Sequence, residues 1–268
     1  MSRIERRFAA LRQRGRKGFV PFVTGGVPDL ETSLSICLKL AELGADVIEL
    51  GVPFSDPMAD GPTIQRSSQR ALEKEVTLQN VLDLATSFRA ASDVPVVLFS
   101  YFNPIMSMGL DDFARAANDA GIDGVLLTDV IDAEAATVAD KLAQHDIDLV
   151  SLVAPTTTDE RLEEICGHAR GFIYAVSRAG VTGAQESVSD AAEKLVARTR
   201  KFTDLPIAVG FGISTAGQIA DVWRFADAAV VGSAIVAEIE KHANDAVAAV
   251  ESFVSGLLPS FAKAGAEL

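Results

Sequence analysis

Phe19-Val20-Pro21-Phe22-Val23-Thr24 is the first of eight short apolar runs, and their spacing decides the fold. The others are Val47–Leu50, Val96–Ser100, Gly124–Thr128, Leu149–Val153, Phe172–Ala175, Ile207–Val209 and Ala229–Val231. Their starts advance from position 19 to position 229, a mean step of 30 residues, which is the size of one βα unit. The runs are continuous rather than alternating, as strands covered on both faces are. Helical patterns fill the intervals. Asp29, Thr158-Asp159 and Ser214 read as helix starts, and Gly44, Gly121 and Gly167 as helix ends. No linker or composition shift divides the chain. The expected fold is an α/β (β/α)8 TIM barrel with an extra N-terminal helix and C-terminal helix, one domain over residues 1–268. A doubly wound open sheet is the alternative, but Thr24-Gly25-Gly26-Val27-Pro28 after the first run is not a G-x-G-x-x-G turn.

Composition narrows the function. The 268 residues carry 24 Lys+Arg and 37 Asp+Glu, a net charge of −13, which speaks against nucleic acid or an anionic membrane as partner. The first 17 residues run the other way, at +6 from six arginines and Lys17 against Glu5. Ile4, Phe8 and Leu11 fall at helical spacing there, so the segment reads as an amphipathic helix with a solvated basic face. Arg12, Arg14 and Arg16 interrupt any signal-peptide core, and no apolar run of about 18 residues exists to span a membrane. A soluble, cytoplasmic protein is expected. Cys37 and Cys166 lie far apart in helical segments and read as buried thiols of a reducing compartment.

In such a barrel the chemistry sits at the C-terminal ends of the strands. None of His145, His168 and His242 falls there, and no lysine ends a strand, so a histidine base, a metal site and a Schiff base are not expected. Carboxylates remain. Glu49 interrupts the apolar run Val47-Ile48-Glu49-Leu50, and alternation points it into the barrel mouth. Burial raises a carboxyl pKa, which suits a group that both gives and takes a proton; a hydrogen-bonded core glutamate is the alternative. Asp60 lies in the loop Val52–Pro62, stiffened by Pro53, Pro57 and Pro62, where turn capping competes with a functional role. Glycines end the last strands, in Gly210-Phe211-Gly212 and Gly232-Ser233. There backbone N–H groups and a following helix N-terminus suit a phosphate without any cation. Gly180 to Gly183 read as a lid that excludes water. Phe22, Phe99, Tyr101, Tyr174 and Phe211 all fall near strand ends and together fit a flat apolar group.

These residues resemble the tryptophan synthase alpha subunit family. The likeness rests on Phe19–Thr24, on the 17-residue stretch Glu49-Leu50-Gly51-Val52-Pro53-Phe54-Ser55-Asp56-Pro57-Met58-Ala59-Asp60-Gly61-Pro62-Thr63-Ile64-Gln65, on Ser177–Gly183 and on Gly210–Ile213. It covers essentially the whole chain. The resemblance implies a lyase that cleaves indole-3-glycerol phosphate to indole and glyceraldehyde 3-phosphate without a cofactor of its own. It further implies an αββα complex whose beta subunit holds pyridoxal phosphate and receives the indole. By resemblance Glu49 is the general acid/base and Asp60 holds the indole N–H. Phe22, Ile64, Phe99, Tyr101 and Thr128 line the indole pocket, Gly183, Phe211, Gly212, Gly232 and Ser233 bind the phosphate, and Thr182 closes the lid onto Asp60. Pro53, Asp56 and Asn103 match positions facing the beta subunit. The chain departs from the family pattern at Ile131, where many members have proline, and at Gly25-Gly26-Val27. A stand-alone indole-glycerol-phosphate lyase and a non-catalytic activator of a beta subunit are the competing readings.

Overall fold

The computed structural model describes residues 1–176, 188–210 and 212–258, with the side chains of residues 132–133 and 188–189 excepted. Phe211 and the stretch expected as a lid, Gly180 to Gly183 with Thr182, lie outside the described residues. Eight parallel strands close into a barrel: β1 (Gly18–Thr24), β2 (Ile48–Gly51), β3 (Val96–Ser100), β4 (Gly124–Leu127), β5 (Asp148–Val153), β6 (Ile173–Val176), β7 (Ile207–Gly210) and β8 (Ala228–Val231). Each pairs with the next in sequence, and β8 returns to β1 through Gly18↔Ala228 to Pro21↔Val231.

Among the described residues, α1 (Arg3–Gln13) precedes the barrel. Between strands run α2 (Leu30–Glu42), then α3 (Pro62–Glu73) with α4 (Leu78–Arg89), then α5 (Phe102–Met108) with α6 (Leu110–Asp119). They continue with α7 (Asp132–Ala143), α8 (Asp159–His168), α9 (Val188–Thr199) and α10 (Ala216–Val222). After β8 come α11 (Ser233–Lys241) and α12 (Ala246–Leu257). Asp29 and Thr158 cap α2 and α8 as their positions predict, accepting from Thr32 N and Arg161 N. The cap of α10 is Thr215 rather than Ser214, because Thr215 and Gln218 form a reciprocal capping box. Gly167 does not end a helix but sits inside α8.

Alternation along the strands builds two cores. Outward residues such as Phe19, Val23, Ile48, Leu50, Leu98 and Val209 pack under the helices. Inward, Val20, Val47, Val97, Leu126, Val150, Phe172, Ala208 and Ala228 fill the lower barrel, and Ile4, Phe8 and Leu11 of α1 close it from below. Phe8 and Phe172 meet ring to ring at 5.6 Å.

The basic N-terminal segment is a solvated face only in part: Arg6, Arg12 and Arg14 are exposed. Arg3, Arg7 and Lys17 instead meet aspartates at the N-terminal rim of the barrel, where a buried carboxylate needs a partner. Arg3 Nη1 lies 2.8 Å from Asp123, Arg7 pairs with Asp46 at 3.9 Å, Lys17 with Asp227 at 3.7 Å, and Ser2 Oγ donates to Asp148 at 2.6 Å. The same aspartates stitch strands together. Asp46, Asp123 and Asp227 accept the N–H of Phe19, Val96 and Ile207 at 2.9 Å, and their own N–H groups donate back to the carbonyls of those three residues. The sequence pattern showed the apolar stripe of α1 but not these carboxylates, which lie up to 210 residues away along the chain.

Asp123, like Asp227, has two cationic partners but is the more deeply buried of the two, and Arg89 donates to it at 2.7 Å from a largely buried position. Asp123→Ala is expected to cost about 3–5 kcal/mol in urea denaturation, because it strands a buried guanidinium. Asp221→Ala, which breaks an exposed pair with Arg224, is expected to cost under about 0.5 kcal/mol.

Candidate active site

Two residues beyond each member of the lower inward set stands a second set: Phe22, Glu49, Phe99, Thr128, Leu152, Tyr174, Gly210 and Val230. Seven of these eight line a cavity of about 340 Å³ at the C-terminal mouth. The eighth, Gly210, leaves the room that Tyr174 occupies, since a Cβ there would meet the Tyr174 hydroxyl oxygen at 2.2 Å. Phe22 and Phe99 pack edge to face at 5.4 Å and 81°, and Ile64 closes the side. Gly51 is likewise required, because a Cβ would come within 2.5 Å of the Phe22 ring.

Glu49 is 1 % exposed, and its Oε1 is buried without a hydrogen-bond partner. Burial alone pushes its pKa up to about 8, so near neutrality the carboxyl is mostly protonated. A core glutamate held by hydrogen bonds would have its oxygens satisfied; this one faces the cavity with an unused oxygen. Asp60 lines the same cavity from the β2–α3 loop. Burial lifts its pKa to about 6, and hydrogen bonding to Tyr101 opposes that rise. The two carboxyls thus differ at pH 7, one an acid and the other an anion. Tyr174 feels both, and its phenol is raised well above its ordinary value by burial and then by Glu49 and Asp60. Thr128 adds a further buried hydroxyl, beside the Tyr101 phenol.

The Asp60 loop is built rather than slack. Val52 N donates to Phe99 O, Asp60 N to Pro57 O, and Ala59 N to the Tyr101 hydroxyl, at 2.9, 3.1 and 2.9 Å. Gln65 Nε2 reaches back from α3 to Asp60 O at 2.9 Å. Pro62 opens that helix, a position where a missing N–H removes nothing. Opposite, Gly212 (φ +78°), Gly232 and Ser233 line the cavity, and Ser233 is the first residue of α11. That helix has no side-chain cap, and open first-turn amides suit an anion without a cation. A larger space of about 780 Å³ between β5 and the α7–α8 layer adjoins this cavity and shares Asp60, Thr128, Leu152 and Val176 with it. Among the described residues no group of three His, Cys, Asp or Glu side chains is placed to hold a metal ion.

The structure brings Phe22, Glu49, Asp60, Ile64, Phe99, Thr128, Tyr174, Gly212, Gly232 and Ser233 around one cavity. Tyr101, expected in the pocket wall, is not among the lining residues; it lies behind the loop, 5 % exposed, with its hydroxyl under Ala59. Of the positions matched to a partner face, Asp56 and Asn103 are exposed, whereas Pro53 is buried within the protein itself. Leu152, Val176, Val230 and Ala59 also line the cavity and were missed by reading motifs. The inward parity that singles out Glu49 would have found Leu152, Val176 and Val230.

The chain matches the family described as Tryptophan synthase alpha chain over residues 8–260. It is 50 % identical to the tryptophan synthase alpha chain of Caulobacter sp. (strain K31) over 242 residues, 90 % of this chain and 88 % of that one. With the alpha chain of Thioalkalivibrio sulfidiphilus it shares 46 % identity over 265 residues, 98 % and 99 % of the two chains. The crystal structure of the alpha subunit from Legionella pneumophila superposes with a TM-score of 0.90 at 35 % identity, covering 98 % of this chain and 99 % of that one. The chain belongs to the tryptophan synthase alpha chain family. The reaction of this family is the cleavage of indole-3-glycerol phosphate, and the chain is accordingly a carbon–carbon lyase of tryptophan biosynthesis.

Within this alpha chain, Gly210→Ala is expected to drive the Tyr174 ring toward the cavity and lower kcat/KM about tenfold or more. Adding Tyr174→Phe, which removes the nearest atom that the new methyl meets and leaves the ring carbon Cζ at 2.7 Å, is expected to recover part of the loss. Steady-state kinetics of the two single variants and the double variant checks this coupling.

Proposed function

We propose that Glu49 and Asp60 divide the lyase chemistry between them, with Glu49 as general acid and base and Asp60 as the anchor of the indole nitrogen. The carrying observation is the buried, unpartnered Glu49 oxygen facing the cavity that Asp60 also lines. Glu49, protonated near neutrality, gives its proton to the indole ring carbon C3. The ring becomes an indoleninium, and the anionic Asp60 carboxylate stabilises the charge that develops at nitrogen. The resulting Glu49 carboxylate assists removal of the proton from the hydroxyl on the carbon attached to C3. That carbon becomes the aldehyde of glyceraldehyde 3-phosphate as the carbon–carbon bond breaks and its electron pair returns to the ring. The substrate is its own electron sink, so the chain's reaction takes no cofactor.

Gly212, Gly232 and Ser233 are assigned to the phosphate, with Gly183 and Phe211 carried over from the family likeness. Phe22, Ile64, Phe99, Thr128 and Tyr174 are assigned to the indole. We further assign a pyridoxal-phosphate-dependent beta subunit as partner, in an αββα complex. Exposed apolar side chains on neighbouring mouth segments support it: Met58 at 93 %, Met106 at 52 % and Ile131 at 58 % exposure, flanked by Asp56 and Asn103. Among the described residues no helix is long and apolar enough to cross a membrane, and we assign the chain, acting as one domain over residues 1–268, to the cytoplasm.

Indole release from indole-3-glycerol phosphate, with and without a purified beta subunit, tests the whole reading. Slow release that rises strongly with the partner supports it, and fast release alone favours a stand-alone lyase. No release under either condition leaves only a non-catalytic activator. Glu49→Gln is expected to lose about 10³-fold or more in kcat while still binding a substrate analogue; an active Glu49→Gln enzyme would sink the assignment. Asp60→Ala is expected to lose about 10²–10³-fold. The reactive state needs Asp60 ionised and Glu49 protonated. Activity should therefore fall below about pH 6 as Asp60 gains a proton and above about pH 8 as Glu49 loses one, a bell that a kcat/KM profile reads directly.

A further inference from the structure

We infer that Tyr101 is a positioning residue for this reaction, a strut that holds the Asp60 carboxyl and both ends of its loop. The inference rests on the reading of Asp60 as the nitrogen anchor and adds a group that does not itself line the cavity. The Tyr101 ring stacks on Phe54 near the start of the loop, with centroids 4.8 Å apart and planes at 26°. Its hydroxyl oxygen accepts the N–H of Ala59 at 2.9 Å, next to Asp60. One O–H proton is then left to donate; the phenol and the Asp60 carboxyl perturb one another, and Thr128 is the other side chain that acts on the phenol. The base of the strut is fixed as well. Tyr101 caps α5 directly after β3, its carbonyl accepts from Ser100 Oγ at 2.8 Å, and the next residue, Phe102, donates its N–H to Asp129 beyond β4 at 2.8 Å. Burial and then the Asp60 charge push the phenol up to about 12, so it remains a donor wherever the enzyme works. Gln65 also holds this loop, but through the carbonyls of Pro57 and Asp60.

Tyr101→Phe removes the hydroxyl and keeps the ring against Phe54. Emission of Trp223, the single tryptophan of the chain, verifies that the variant is folded. The primary measurement is a ¹³C-carboxyl titration of wild type and variant, with the Asp60 signal assigned by its loss in Asp60→Asn. The Asp60 midpoint is expected to move upward in Tyr101→Phe, because a bond to the ionised form has been lost. In turnover, kcat is expected to fall about tenfold at pH 6.5 and clearly less at pH 8, with KM for indole-3-glycerol phosphate changed by less than about twofold. An unmoved or lowered midpoint overturns the inference whatever the rates do. A loss of equal size at every pH also overturns it, since that is what a merely structural tyrosine would give. If the wild-type enzyme releases no indole, the functional reading fails while the titration still decides whether Tyr101 holds Asp60.

Discussion

A closed parallel barrel turns every second side chain inward, and this parity constrains everything else in the molecule. In the lower half all eight inward positions are apolar and share the space with three side chains of α1. Two residues further along each strand the same parity delivers Glu49, Thr128 and Tyr174 beside Phe22, Phe99, Leu152 and Val230. Glu49 therefore has an apolar floor beneath it and a cavity in front. That placement removes water from the carboxyl and leaves one oxygen without a partner. A shift of a single position would put it under the helices with Ile48 and Leu50, where it would have no substrate to meet.

Asp60 reaches the same cavity by another route. It is not on a strand, so no periodicity places it. Its position comes from a loop with three prolines, a backbone donor to Tyr101 and a side chain from α3. Glu49 is set by strand register and Asp60 by loop chemistry, which gives two carboxyls in different degrees of burial. Burial raises both, but only Asp60 has a neighbouring hydroxyl that favours its ionised form.

Much of this was legible in the sequence, and for identifiable reasons. Continuous apolar runs at a regular step gave all eight strands to within one or two residues, because strands buried on both faces leave that trace. Glu49 was visible as one acidic residue inside such a run. Long-range polar pairing was not visible. Nothing local tells Arg3 that it will meet Asp123, so a segment that encloses the barrel floor read as a basic surface. Tyr101 shows a related limit: position near a strand end indicates the mouth of the barrel, but not that its hydroxyl would meet the Asp60 loop at Ala59. Pro53 shows the same gap, since a motif position matched to a partner face carries no information on whether the ring is already packed.

The sealed floor has an evolutionary consequence. The ion pairs at the N-terminal rim involve none of the residues around the cavity, so substitutions of those charges are filtered by folding, whereas the apolar floor also carries Val230 and supports Phe99, Leu152 and Tyr174. Substitutions at the mouth are filtered by turnover. The two ends of the barrel are thus free to diverge at different rates, and strong acidity or other adaptation to a host's interior has that charged rim in which to accumulate without altering the chemistry at the other end.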